Sequence, residues 1–217
     1  WSDRQPPVYF LHDSRVEGAA SLTLLGASRP GIDAARQAAQ EFHRIATRDG
    51  QQMPVYVTVP PGKGPWPAVV LVHGGPWVRG TEWGWAPMAQ FLASRGYLVI
   101  EPEFRGSRGH GMDWYLRSVK QWGQTMQDDL VDAVGWAVGR RLADPAKVAI
   151  AGGSYGGYAA LMGVLRDPGV FRAAVNWLGP TDLALMYTYS ASDTMGSVWL
   201  RDVFPRMVGD VDADAAM

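Results

Sequence analysis

The chain has 217 residues, 47% of them hydrophobic and 19% charged, which is the composition of a folded globular protein with a sizeable core and excludes a disordered chain. Twenty basic side chains against twenty-one acidic ones leave a formal charge of -1; this excludes the electrostatic footprint of a nucleic-acid or anionic-membrane binder and fits a near-neutral small molecule or a peptide as partner. The absence of cysteine rules out disulfides, thiolate catalysis and cysteine metal sites.

The sequence opens on "WSDRQPPVYF", without a methionine and without the charged and apolar regions of a signal peptide, so a processed or cut N-terminus is expected. Cytoplasm and periplasm both stay open, and the longest apolar runs, such as 67–72 and 171–174, are far too short to span a bilayer. "VYFLHDS" and "SLTLLGAS" read as two strands of a separate β domain over residues 1–35, and the charged stretch "AARQAAQEFHRIATRDG" predicts a linker helix over 36–50. From residue 51 the pattern changes. Met53, Val55, Val57 and Val59 alternate with Pro54, Tyr56 and Thr58, the period of a strand with one buried face, ending at the turn signal Pro60-Pro61-Gly62. The continuous apolar runs 67–72, 97–100, 148–151 and 173–178 predict strands buried on both faces, as in a parallel sheet. Helices are expected between them. The first covers 86–96, with Met88, Phe91 and Leu92 on one face; the second covers 127–144, with Leu130, Val134, Ala137 and Val138 inward, Asp128 and Asp129 in its first turn and Arg140 and Arg141 in its last. Strands alternating with helices at this spacing predict an α/β fold with right-handed crossovers.

One stretch carries chemistry. "AIAGGSYGGYAAL" places Ser154 between Gly152-Gly153 and Gly156-Gly157, after an apolar run and before a helical one. This is G-x-S-x-G at a strand-to-helix turn, where the serine takes strained backbone angles that lift its hydroxyl above the sheet, and the helix N-terminus favours a developing negative charge. A Gly-rich phosphate loop is the weaker reading, because Ser154 occupies the second glycine position of G-x-G-x-x-G and no G-x-x-x-x-G-K-[ST] occurs. "LVHGGPW" (71–77) ends an earlier buried strand and can supply a second donor to an oxyanion, so the expected pair is the Tyr155 and Gly75 amides; a plain turn is the alternative.

Together "RDGQQMPVYVTVPPGKGPWPAVVLVHGGPW", "FRGSRGHG" (104–111), "MQDDLVDAVGWAV" and "AIAGGSYGGYAALMG" resemble the catalytic α/β-hydrolase domain of the prolyl oligopeptidase family of serine peptidases, in its acylaminoacyl-peptidase-like branch, over roughly residues 45–185. The resemblance implies a mostly parallel sheet flanked by helices, here incomplete at the C-terminus, spanning 51–217. It also implies a nucleophile at Ser154, an oxyanion hole, and an N-terminal β-propeller whose last strands residues 1–35 are similar to. In such hydrolases an Asp or Glu and then a His follow the serine, whereas His12, His43, His73 and His110 all precede Ser154. Of the aspartates after it, Asp182, Asp193, Asp202, Asp210, Asp212 and Asp214, none sits at the end of a predicted later strand, and Asp182 reads as a turn or helix cap. The triad acid and base are therefore expected beyond Met217.

His73 reads as a loop-organising residue, and His110, in a Gly-rich loop, as a poor candidate base. Arg105 either orients a substrate or pairs with an internal carboxylate. Trp77, Trp83, Trp85, Trp114 and Trp122 either build an apolar pocket or pack in the core. Neither a metal nor a cofactor is indicated by any motif. The expectation is a serine peptidase acting on oligopeptides through an acyl-enzyme; an esterase, or a hydrolase fold without its triad, are the competing readings. Oligomeric state is not legible.

Overall fold

The computed structural model describes residues 2–189 and 202–210. Strands β1 (Val8–His12) and β2 (Leu22–Ala27) pair antiparallel in a sheet of their own, with Tyr9, Phe10, Leu11, Leu24 and Leu25 exposed. A second, six-stranded sheet holds β3 (Ala39–Ala46), β4 (Gln52–Val59), β5 (Trp66–Val72), β6 (Leu98–Pro102), β7 (Ala143–Gly153) and β8 (Ala173–Trp177), in the order β3-β4-β6-β5-β7-β8. The pairs β3·β4 and β4·β6 are antiparallel, and β6, β5, β7 and β8 run parallel. The C-terminal ends of those four strands therefore share one edge, which is where an open α/β sheet places its ligands.

Helix α1 (Pro87–Ser94) packs on β4 and β6; after the short α2 (Met112–Leu116), α3 (Thr125–Gly139) packs on β6 and β7, and α4 (Tyr155–Arg166) on β7 and β8. Two further short helices, α5 (Leu183–Tyr189) and α6 (Phe204–Met207), follow. The core between sheet and helices is built from Val55, Val57, Val70, Leu98, Ile100, Leu130, Ala133, Val148 and Ile150, all fully buried or nearly so. No helix among the described residues is long and apolar enough to cross a membrane.

The structure corrects the sequence reading in several places. Residues 36–50 are not a linker helix: Ala39–Ala46 forms β3, which pairs along its whole length with β4 from Ala39 opposite Val59 to Ala46 opposite Gln52. Its Ala, Gln and Glu favour a helix only weakly, and the ladder outweighs them. The hairpin turn is Thr47 to Gln51, where Gly50 takes φ 79° and the Thr47 amide donates to the Gln51 carbonyl at 2.9 Å. β4 is buried on both faces rather than on one. β8 is the opposite case, with Val175 and Trp177 exposed at the edge of the described sheet. Helix α3 ends five residues early; the chain turns at Arg141 (φ 58°) and enters β7.

Asp129 is no helix-dipole charge on a solvated turn. It is fully buried, and both its oxygens accept from the Arg105 guanidinium, at 2.8 Å from Nε and 2.7 Å from Nη2, while Oδ2 also accepts from the Arg105 amide at 2.8 Å. Asp49, in the β3-β4 turn, takes the other side of the same guanidinium at 3.0 and 3.2 Å. One arginine thus ties the segment after β6 to α3 and to the hairpin.

Breaking a buried pair leaves an uncompensated charge, so Asp129→Asn should lower unfolding stability by about 3 kcal/mol, whereas Arg117→Ala, which removes an exposed i,i+4 pair with Asp113, should cost under about 0.5 kcal/mol. Urea midpoints at constant slope measure both. The hydrogen bonds from Arg105 hold Asp49 down from its ordinary 3.8 to about 2. A lowered carboxylate contributes stability that is complete above its unfolded value and lost as pH falls through the folded one, so Asp49→Asn should flatten the stability profile between pH ~4 and ~2.

Candidate active site

Ser154 sits between the last residue of β7 and the first of α4, at φ 54° and ψ -122°, and is exposed. Such angles cost a non-glycine residue on the order of 1–3 kcal/mol and persist only where the surroundings enforce them. Here the first turn of α4 lies directly on the end of β5. A Cβ at Gly156 would overlap the Val72 carbonyl oxygen, and one at Gly152 would fall 2.6 Å from that same oxygen. Side chains at either position would push the helix off the strand. Gly153 is different, since a Cβ there would stand 3.6 Å from its nearest neighbour, the Trp177 carbonyl oxygen, an ordinary contact. The Ser154 amide donates to that Trp177 carbonyl at 3.0 Å, and the Ser154 carbonyl accepts from the Gly157 and Tyr158 amides at 2.9 and 3.1 Å. The backbone is therefore held on both sides while the side chain is left at the surface.

The strand order explains the next contact. β5 and β7 are parallel neighbours with Val72 opposite Gly152, so the loop after β5 meets the turn after β7. A Cβ on Gly74 would stand 3.4 Å from the Ser154 Cβ and 3.0 Å from the Gly153 carbonyl oxygen. The segment 73–77 thus lies on the same sheet edge as the serine. Gly75 takes φ 120°, in the region open chiefly to glycine. Tyr155, whose amide follows Ser154, buries its ring among Phe104, Trp122 and Tyr158, with centroids at 5.3, 4.7 and 5.9 Å. That anchors the start of α4.

His73 organises the loop. Its ring stacks on Phe104 at 4.4 Å, and burial pushes the imidazole below its ordinary value, so it is neutral near pH 7. Nδ1 is 2.7 Å from the Gly74 carbonyl, which can only accept, so Nδ1 carries the proton and Nε2 accepts from the Ser107 hydroxyl at 2.8 Å. The other histidines are occupied elsewhere or remote. His110 pairs with Glu103 at 3.2 Å and His43 with Glu41 at 2.8 Å, and His12 lies on β1.

Of the pocket candidates, Trp77, Trp114 and Arg105 go to structural work, while Trp83 and Trp85 line a cavity together with Pro6, Pro7 and Phe10. Trp77 is buried and donates from Nε1 to Ser118 Oγ at 3.0 Å, and it packs against Trp122. Arg105, only 5% exposed at its side chain, spends its donors on Asp129 and Asp49, which corrects the substrate-orienting option in favour of the internal ion pair. Trp114 donates to the Glu103 carbonyl and Trp85 to Gln37, while Trp83 is exposed. Asp182 accepts from the Leu185 amide at 3.1 Å at the start of α5, the cap the sequence suggests. Asp202 and Asp210 follow α5 in sequence, and Asp193, Asp212 and Asp214 lie outside the described residues.

Sequence reasoning missed two carboxylates at the end of β6. Glu103, fully buried, accepts from the Gly80 and Thr81 amides. Glu101 is also buried, and desolvation pushes it up to about 7, with no hydrogen-bond partner for Oε2 among the described residues. The signal was present in "LVIEPEF", where two glutamates stand in an otherwise apolar run.

Residues 83–203, over half of the chain, match a family model described as the prolyl oligopeptidase family. A dipeptidyl aminopeptidase BIII of Pseudoxanthomonas mexicana is 41% identical over 187 residues, covering 82% of this chain and 27% of that protein. A dipeptidyl peptidase family member 6 of Caenorhabditis elegans is 42% identical over 115 residues, 53% of this chain and 15% of that protein. Among solved structures, a puromycin-hydrolyzing peptidase of Mycobacterium tuberculosis superposes with a TM-score of 0.80 at 25% identity, over 96% of this chain and 31% of that one. The chain thus spans less than a third of the length of these relatives. The sheet and its flanking helices form an α/β-hydrolase-like fold.

The close approach at the elbow makes a paired prediction. Gly156→Ala should cost roughly 3 kcal/mol or more or prevent folding, since backbone must move to admit the methyl group. Gly153→Ala should change stability by less than about 1 kcal/mol. Thermal melts of the two variants side by side measure the difference.

Proposed function

Because the chain belongs to the prolyl oligopeptidase family of serine peptidases, we propose that Ser154 is the nucleophile of a peptidase acting on oligopeptides and that the Tyr155 and Gly75 amides form its oxyanion hole. The observation that carries the reading is the exposed Ser154 at φ 54° between a parallel strand and a helix N-terminus, with Gly74 packed against it. In the proposed reaction Ser154 Oγ loses its proton to a base and attacks the carbonyl carbon of the scissile peptide bond. The carbonyl oxygen becomes an oxyanion and accepts from the two amides. The C–N bond breaks, the leaving amine takes the proton held by the base, and the acyl group stays on Oγ. Water then attacks that ester and gives a proton to the same base, the acyl–Oγ bond breaks and releases the carboxylic acid, and the base returns its proton to Ser154 Oγ. Removing one oxyanion donor from such a site typically costs on the order of 10² to 10³ in rate.

The base and its carboxylate are proposed to come from outside the described residues, since His43, His73 and His110 already bond to Glu41, to Gly74 and Ser107, and to Glu103. The names of the 41% and 42% identical relatives favour release of dipeptides as the finer activity, and a 31% identical acylamino-acid-releasing enzyme of Oryza sativa favours blocked N-termini as the second reading. The separate β1-β2 sheet, with its exposed apolar side chains, is proposed to be the end of a preceding β-propeller that screens substrates by size.

Labelling with a fluorophosphonate, read by mass spectrometry, tests the assignment. The full-length protein that carries this chain should be modified at Ser154 rapidly and stoichiometrically, and Ser154→Ala should remove the label. The 217-residue chain by itself should react slower by roughly 10³-fold or more, because the residual effect of an oxyanion hole without a base is small. Equal labelling of both would place the base among the four histidines described above. Labelling with p-nitrophenyl acetate turnover but no peptide cleavage would favour an esterase, and no labelling of the full-length protein would favour a domain without its triad.

A further inference from the structure

The loop from His73 to Ala86 carries Gly75 and is rich in glycine, with Gly74, Gly75, Gly80 and Gly84. Such a segment loses much conformational entropy when it is ordered and needs bonds that restrain it. Those bonds come from the segment that follows β6. The Arg108 amide donates to the Val78 carbonyl at 2.9 Å, and Ser107 bonds to His73. Gly80 lies so close against the His73 ring that a Cβ would overlap it, and the ring's other partner, Phe104, belongs to the same post-β6 segment. The strongest connection is Glu103. Its side chain has no solvent exposure, and its two oxygens take two successive loop amides, Thr81 at 2.5 Å on Oε1 and Gly80 at 3.2 Å on Oε2, with His110 Nε2 also 3.2 Å from Oε2.

We propose that Glu103 is a positioning residue of the reaction: its buried carboxylate clamps the loop through the Gly80 and Thr81 amides and so fixes the Gly75 amide opposite Ser154. The inference rests on the assignment of Ser154 and Gly75 made above. Two amides converging on one side chain require an acceptor on both of its arms. A carboxylate provides this; a glutamine does not, because its NH₂ would face one of the two N–H groups. Buried, each of these charge-assisted bonds is stronger than a neutral one, and a vacated amide stays without a partner. Freed of the clamp, the loop keeps its bonds through His73 and Val78 and the fold survives, but the donor at Gly75 is no longer held to a fraction of an ångström. A displacement of about 1 Å in such a site costs on the order of 10² in rate.

The test uses the full-length protein with Glu103→Gln and Glu103→Asp, each compared with wild type in fluorophosphonate labelling rate at Ser154, in kcat and KM for p-nitrophenyl acetate, and in amide exchange over residues 74–86. Glu103→Gln is expected to melt cooperatively, to label and turn over roughly 10- to 100-fold slower with KM within about threefold of wild type, and to lose protection at Gly80 and Thr81. Glu103→Asp, which keeps both acceptor arms, should recover part of the rate. A Glu103→Gln protein that labels within about twofold of wild type overturns the proposal, as do Gly80 and Thr81 amides that exchange freely in the wild type. If Glu103→Gln does not fold, the wild-type exchange and the Glu103→Asp rate decide in the same sense. Failure of wild type to label at Ser154 would strike the nucleophile assignment instead, and the exchange measurement would still judge the clamp.

Discussion

The contact on which the site depends is steric: the first turn of α4 rests against the carbonyl of Val72 at the end of β5, with no room for a side chain at Gly156. A helix that follows a strand normally leaves the sheet edge with several residues of loop. Here Gly153 ends β7 and Tyr155 begins α4, so the whole change of direction falls on Ser154. With the helix packed this closely on β5, Ser154 takes positive φ, and its side chain is the part that projects. The same contact brings the segment after β5 against the elbow, since the strand whose carbonyl receives α4 is the strand that leads into His73-Gly74-Gly75. The exposed serine and the glycine loop beside it are thus consequences of one packing constraint between neighbouring parallel strands.

A second layer of buried charge keeps that edge from relaxing. Arg105 brings Asp129 of α3 and Asp49 of the β3-β4 hairpin together, and Glu103, two residues earlier, holds the loop after β5. The two carboxylates at the end of β6, Glu101 in the strand and Glu103 just after it, show why partners matter. Glu103 gathers three donors, whereas Glu101 is buried with Oε2 bare among the described residues, and desolvation drives it up to about 7. A raised acid contributes stability that is complete below its unfolded value and lost as pH rises to the folded one, so Glu101 works against the fold above neutrality while Asp49 works for it at all but acidic pH. Buried pairs of this kind add little net stability over apolar packing and a great deal of definition to where the loops run.

What could be read from the sequence followed from how local the physics is. The elbow was legible because its constraint sits within six residues, and G-G-S-Y-G-G states it directly; the strand runs 67–72 and 148–151 were legible because strands buried on both faces are apolar throughout. The stretch 36–50 was misread because its Ala, Gln, Glu and Arg prefer a helix, and only the ladder to β4 overrides them. Arg48-Asp49-Gly50 before an alternating run was the hairpin signal that favoured the strand. Arg105, Asp129 and Asp49 lie far apart in the chain, so a partner for Arg105 could be suspected and not named. The same holds for Glu103, whose partners are backbone amides and leave no trace in residue identity.

The two halves of a serine hydrolase site place different demands on a chain, and this one shows the asymmetry. The proposed nucleophile and oxyanion half needs backbone amides and one hydroxyl at the ends of two adjacent strands, and the residues proposed for it are all carried by β5, β7, α4 and their loops. It is stabilised by close approach and by buried ion pairs that need no substrate. The base half needs an imidazole that is exposed, correctly oriented and free to change charge. The imidazoles near this edge have the opposite character: His73 is buried, held in one tautomer by Gly74 and Ser107, and depressed in pKa, and His110 is tied to Glu103. A ring spent on holding a loop is poorly placed to shuttle a proton, because Nδ1–H is committed to the Gly74 carbonyl, Nε2 to Ser107, and burial already penalises the imidazolium. The histidines that build the loop are for that reason poor candidates for the base proposed to activate Ser154.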